Sequence, residues 1–393
     1  MHRTGGIEVA NAAVMGRVDV VEHTGSGKAH FEVLDGLRGT AALLVVVFHI
    51  QGITVDFNHQ SLILPHAYLA VDFFFALSGF VVAYAYDDRW RTMTTRQFLL
   101  VRLVRLHPLL ILGTLLGLAS YLFDPFAGDK QQALPATLLI VTMLSLLVLP
   151  APRLPNRWDD THPLNGPAWT LFQEYLANIA YAFILRKLSA RALAGIALCG
   201  AVALLFCALH AGSLDTGYGW GNLWGAPIRL VCPFVMGLLL YRWRDRLPRM
   251  RLGFIPLSAL MAAAFAFPSL PRAGAIELNA LYDFVCVAVL FPAIIVCGIH
   301  SETVAWRASL CRMSGKISYP IYVTHFPFAY VFLNLAVTQQ APIDVLIPVG
   351  LGLFAFMIAF AWVAARHWDE PIRSRLGSVL AVQTGRTVNP QVW

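Results

Sequence analysis

His49 follows Arg38 by eleven positions in LDGLRGTAALLVVVFHI, a stretch otherwise dominated by Ala, Leu, Val and Phe. At 100° per residue that spacing returns almost to its starting direction, so both side chains leave a helix from one face. Asp35 lies one turn before Arg38 on the same side. With Arg38 at a membrane surface, His49 sits ~16 Å deeper, near the bilayer midplane. An uncharged imidazole at that depth can take up a proton, and ionisable groups are costly enough there to imply a use. The other reading is a structural His bonded to a neighbouring helix.

Three more stretches place polar groups in apolar surroundings. In WTLFQEYLANIAY, Glu174, Asn178 and Tyr181 follow i, i+4, i+7 spacing and form one polar stripe. A buried carboxylate needs a partner, and a His on a facing helix would serve; an ion pair that only fixes helix packing is the alternative. In RLVRLHP, Arg102 and Arg105 share a face. Such a pair can clamp phosphate, or it can simply be the positive charge that sets membrane orientation. In ISYPIYVTHF, Ser318, Tyr322 and His325 repeat the i, i+4, i+7 pattern, with Tyr319 and Tyr322 equally suited to anchoring at the interface. VDFFFALSGF adds Asp72, Ser78 and Gly79, the glycine permitting close helix approach.

The elements that must position these groups follow from composition. Of 393 residues, 58% are hydrophobic and only 13% charged. Soluble domains carry about 25% charge, so the fold class is an all-α polytopic membrane protein. The formal charge of +7 is concentrated in short loops beside apolar runs, which argues for membrane orientation and against nucleic-acid binding. Five of the six Cys lie in apolar runs and none forms a C-x-x-C pair, so disulfides and metal sites are not expected. Residues 1–30 lack a continuous apolar core of the signal-peptide kind and read as a flexible cytoplasmic tail. The membrane domain covers 31–377, and 378–393 is a short cytoplasmic tail. No internal repeat is evident.

Apolar segments fall near 37–56, 66–86, 108–123, 133–149, 168–186, 190–209, 223–241, 252–268, 279–299, 317–337 and 344–365. Basic stretches at 87–105, 186–191, 242–251, 300–316 and 366–375 all read as cytoplasmic. An even number of crossings must then separate 87–105 from 186–191, yet three segments lie between. Ten transmembrane helices plus one re-entrant segment, 133–149 or its neighbour, satisfy every basic loop. Both termini are then cytoplasmic, and the proline-rich 150–169 falls outside.

Taken in order, these stretches resemble membrane-bound acyltransferase family 3, the O-acyltransferases of bacterial surface polysaccharides and related acceptors. The Arg, ten residues, His signature is carried by Arg38 and His49. VDFFFALSGF, RLVRLHP, WTLFQE, ISYPIYVTH and the DEP of Asp369 to Pro371 are similar to its later motifs, although EYLANIAY replaces the commoner E-x-Q-F-Y-L. The resemblance implies transfer of an acyl group, most often acetyl, from cytoplasmic acyl-CoA to a hydroxyl of a carbohydrate or related, lipid-linked acceptor, in the inner (plasma) membrane among membrane lipids. It implies no bound cofactor and no metal. His49 is the implied catalytic base, oriented by Glu174, with Arg38, Arg102 and Arg105 binding the donor. Supporting positions are Asp35, Asp72, Ser78, Asn178, Tyr322, His325 and Glu370. Two other classes share such midplane ionisable groups: a polytopic secondary transporter, and a non-catalytic membrane protein whose polar stripes only fix packing.

Overall fold

The computed structural model describes residues 30–128, 133–274 and 276–384. Apart from His30, the N-terminal tail lies outside the described residues, as does the C-terminal tail beyond 384. Each apolar segment becomes a helix, because hydrocarbon leaves backbone groups no partner but one another. In chain order these are α1 (Glu32–Thr54), α2 (Ala70–Tyr86), α3 (Thr95–Leu122), α4 (Pro135–Leu146), α5 (Ala168–Phe183), α6 (Ala190–Ala211), α7 (Gly225–Trp243) and α8 (Phe254–Phe265). Then follow α9 (Leu278–Val285) and α10 (Phe291–Ile299), joined by a π-turn, α11 (Ala305–Val337), α12 (Ile343–Ala364) and α13 (Glu370–Thr384). Helix α13 runs through the boundary expected at 377. A two-residue hairpin, Arg272–Ala273 against Ile276–Glu277, holds the only named strands among the described residues.

Eight helical stretches among the described residues are long and apolar enough to cross a membrane. The other three of the eleven segments are the 12-residue α4 and α8 and the 16-residue α5. At ~1.5 Å per residue α4 measures about 18 Å, too short for a hydrocarbon core of ~30 Å, and it lies in the region where one non-crossing segment is required. Helix α8 has the same length for a different reason. It begins where Phe254 packs on Gly36 and ends where the Phe265 carbonyl accepts the backbone N–H of His66, in a connection that folds inward between α1 and α2.

Two crossings form the core, α1 against α11 and α2 against α7. Small residues set both. A Cβ on Gly79 would overlap the carbonyl oxygen of Phe234, and a Cβ on Gly237 that of Ala76, so α2 and α7 touch backbone to backbone. On the outer faces Leu139, Leu198, Phe206 and Leu351 are exposed, as a hydrocarbon surround allows.

The proline-rich 150–169 folds back into the protein. Whichever side of the membrane it faces, it is largely buried, with Asp160, Thr161, His162 and Asn165 inside the protein. Its polar groups are satisfied there. The Ala151 N–H donates to the Thr161 carbonyl, and the Thr161 N–H to that of Tyr218. Asn165 Nδ2 donates to the Val323 carbonyl at 2.9 Å. That carbonyl is vacant because Pro327, four residues on, has no N–H to give it. Helix α5 therefore starts at buried residues, Ala168 and Trp169.

Candidate active site

Two cavities meet inside the bundle. The first, of about 110 Å³, is lined by Arg38, Arg102, Arg105, Ser78, Glu174 and Tyr322, among others. Three separate helices, α1, α3 and α5, thus bring their ionic groups to one place. Arg38 is held from three sides: Nε donates to Ser318 Oγ at 2.8 Å, Nη2 to the Gly315 carbonyl at 2.9 Å, and Asp35 lies 3.2 Å away. Arg102 Nη2 meets Glu174 Oε1 at 2.5 Å, and Ser78 Oγ donates to the same oxygen at 3.1 Å. Arg105 makes no hydrogen bond or ion pair with any described residue. Its charged neighbours are Arg38, Arg102, Arg373 and the carboxylate of Asp369. A guanidinium without a bonded partner keeps its fork of N–H donors available.

The second cavity, of about 470 Å³, holds His49 in its wall together with aromatic rings and carboxylates, among them Tyr68, Trp158, Trp169, Asp160 and Asp215. His49 Nδ1 lies 3.1 Å from Nε2 of the fully buried His325. Phe326 packs edge-on to the His49 ring, with centroids 4.9 Å apart. Tyr322 and Val71 line both cavities, so they form the wall between the arginines and the histidines. The Tyr322 hydroxyl is tied to Thr170 Oγ1 at 2.9 Å. An anionic group anchored at Arg105 and a hydroxyl resting against His49 would approach each other across this wall.

The sequence of residues 31–366 matches a family described as an acyltransferase domain. The chain belongs to this acyltransferase family. Acyltransferase MdmB of Streptomyces mycarofaciens is 27% identical over 317 residues, which cover 75% of this chain and 77% of that protein. Protein 2 in the picA locus of Rhizobium radiobacter is 38% identical over 167 residues, 39% of this chain and 81% of that protein. No solved structure matches. Family membership decides for a membrane-embedded enzyme over a transporter or a packing-only scaffold.

Within the acyltransferase most of the expected residues converge: Arg38, Arg102, Arg105, Ser78, Glu174 and Tyr322 on the first cavity, His49 on the second, His325 behind it. Glu174 departs from expectation. Its partners are Arg102 and Ser78, not His49, because the inward start of α5 carries the carboxylate to the arginine side. Asn178 reaches back to the Glu174 carbonyl at 2.8 Å and belongs to the helix, not to a cavity. Asp72 is fully buried in an ion pair with Arg229 at 2.5 Å, away from the arginine cavity. Glu370 pairs with Lys316 at 2.6 Å, both side chains being well exposed, while its neighbour Asp369 is buried and pairs with Arg373 at 3.2 Å.

Sequence reasoning missed Arg229 and the inward loops, and within the DEP motif it chose Glu370 over the buried Asp369. Arg229 makes four hydrogen bonds to α2 and its surroundings: both Asp72 oxygens, the Tyr68 carbonyl at 3.0 Å and the Thr216 carbonyl at 2.7 Å. A lone Arg inside the apolar GAPIRLVCPFV was the available signal for a partner to Asp72. Asp160 accepts from the Tyr330 hydroxyl at 2.5 Å, and burial pushes its carboxyl up to about 6 despite that bond and the nearby Arg157. Burial likewise holds His162 down to about 4, so that ring is neutral at physiological pH. Among the described residues no group of three His, Cys, Asp or Glu side chains is placed to hold a metal ion.

Proposed function

We propose that this acyltransferase moves an acyl group, acetyl by preference, from acyl-CoA to a hydroxyl of a carbohydrate or lipid-linked glycan. The observation that carries the reading is the unpaired Arg105, beside Arg38 and Arg102, in a cavity that shares the Tyr322 wall with the His49 cavity. CoA bears a 3′-phosphate and a pyrophosphate, and guanidinium forks match phosphate oxygens. The basic connections at 87–105, 186–191, 242–251 and 366–375 support a cytoplasmic entry for the donor in the plasma membrane, with both termini cytoplasmic. Aromatic faces interleaved with carboxylates suit a sugar in the larger cavity, since rings stack on its C–H faces and carboxylates accept from its hydroxyls.

His49 takes the proton of the acceptor hydroxyl as its oxygen attacks the thioester carbonyl. The new C–O bond forms, the C–S bond breaks, and the imidazolium returns the proton to the departing CoA thiolate. A positioned histidine base contributes about 10²–10⁴-fold.

Purified protein supplied with acetyl-CoA and membrane glycolipid should release free CoA thiol and label the glycolipid. His49→Gln should be inactive while still folded, because an amide takes up no proton at neutral pH. Near-normal turnover by a well-folded His49→Gln overturns the base assignment, and no thiol release with acyl-CoAs of any length overturns the donor. Mass spectrometry of host surface glycans with and without the gene identifies the acceptor.

A further inference from the structure

We infer that His325 is a positioning residue that locks His49 in one tautomer, with the proton on Nδ1 and the lone pair on Nε2 turned toward the acceptor cavity. The inference rests on the reading of His49 as the base, and it replaces the orienting role expected of Glu174.

The argument begins with two carbonyls. His325 Nδ1 lies 2.9 Å from the carbonyl oxygens of both Ile321 and Tyr322, one turn back along α11. Carbonyl oxygens only accept, so Nδ1 must carry a hydrogen. A neutral imidazole has one N–H, so His325 Nε2 holds a lone pair. Its partner at 3.1 Å is His49 Nδ1, which must then be the donor. His49 in turn has its lone pair on Nε2.

That second nitrogen bonds to no described residue and is not among the buried unpaired atoms, so it faces the 470 Å³ cavity that His49 lines. The competing assignment protonates both nitrogens of His325. It would put a cation in a fully buried ring that no carboxylate touches, which is strongly unfavourable.

This chain of single donors does what an Asp does for a catalytic His elsewhere, without storing a negative charge in an apolar interior. When His49 Nε2 takes the hydroxyl proton, the Nδ1–H bond to His325 strengthens and spreads the positive charge. When Nε2 passes that proton to the thiolate sulfur, the same neutral pair is restored.

Nitrogen-15 NMR of histidine-labelled protein reads the tautomer directly, with His49→Gln used to assign the signal. The wild type should show Nδ1–H at both His49 and His325. In His325→Phe, which keeps a ring but removes the acceptor, His49 should become a mixture of tautomers. Its kcat should fall ten-fold or more while KM for acetyl-CoA stays within two-fold. His325→Gln, which can present an acceptor oxygen, should recover part of that loss. An Nε2–H tautomer at His49 in the wild type overturns the inference, as does an unchanged tautomer and kcat in folded His325→Phe. Either result leaves the base role standing, whereas full activity in His49→Gln would remove that role itself.

Discussion

Arg102 and Glu174 meet at 2.5 Å on one side of Tyr322, while His49 lies on the other. The carboxylate that the sequence offers as an orienter of the histidine is thus committed to an arginine. Arg102 is almost wholly buried and Glu174 only about one-fifth exposed, so each charge leans mainly on the other. Removing one partner of such a pair leaves the other uncompensated, which costs about 3–5 kcal/mol. Removing both costs less.

A double-mutant cycle follows from this. Glu174→Gln should lower the thermal midpoint of the purified protein clearly, and Arg102→Gln likewise. The double variant should recover much of the loss, with a coupling energy of about 1–3 kcal/mol. Additive losses would show that the two side chains are not paired.

The three donor arginines should separate by the same logic. Arg105 has no partner to leave stranded, so Arg105→Ala should change the thermal midpoint little. It should raise KM for acyl-CoA about ten-fold, since a charge-assisted contact is worth roughly 1.5–3 kcal/mol. Arg105→Lys should recover only part, because an ammonium keeps the charge and loses the fork. Arg102→Ala should raise KM and destabilise together. Wild-type donor affinity in folded Arg105→Ala, measured by titration with acyl-CoA, would end the phosphate assignment and leave membrane orientation as the role of that charge.

What was legible in the sequence was periodicity within single helices. Arg38 and His49 on α1, Arg102 and Arg105 on α3, and Ser318, Tyr322 and His325 on α11 each share a face, and each set lands at the cavities or just behind them. Spacing along one helix says nothing about which helix faces it. Pairings across helices therefore went unread: Asp72 with Arg229, Glu174 with Arg102, His49 with His325. The partner of Glu174 went unread for a related reason. Counting along α5 does not show that the residues before it are buried, or that Asn165 bonds the Val323 carbonyl that Pro327 leaves without a helical N–H. The basic loops place the run of Pro, Asp, Thr, His and Asn before Trp169 outside the membrane and say nothing of its burial. Its polar groups pair with one another and with backbone, which composition does not reveal.

That inward loop also supplies a pH test. Asp160 is 3% exposed, and burial raises its carboxyl to about 6 from an unfolded value of ~3.9. Between those values the folded state binds more protons than the unfolded state, so stability falls as pH rises through the window from about 4 to 6. Above it the full cost of holding the carboxylate ionised is present, on the order of 2–3 kcal/mol. Asn cannot ionise, yet its side-chain oxygen still accepts from the Tyr330 hydroxyl. Arg157 forms no ion pair with Asp160; it stacks on Tyr330 at 4.2 Å and bonds Ser120 and the Asn156 carbonyl, so it loses little. Asp160→Asn should therefore unfold at a higher temperature than wild type at pH 8, and the gap should close as pH falls toward 4. A variant less stable than wild type at pH 8 would mean that Arg157, from a distance, stabilises the ionised Asp160 by more than burial costs it, and the expected pH dependence would fail.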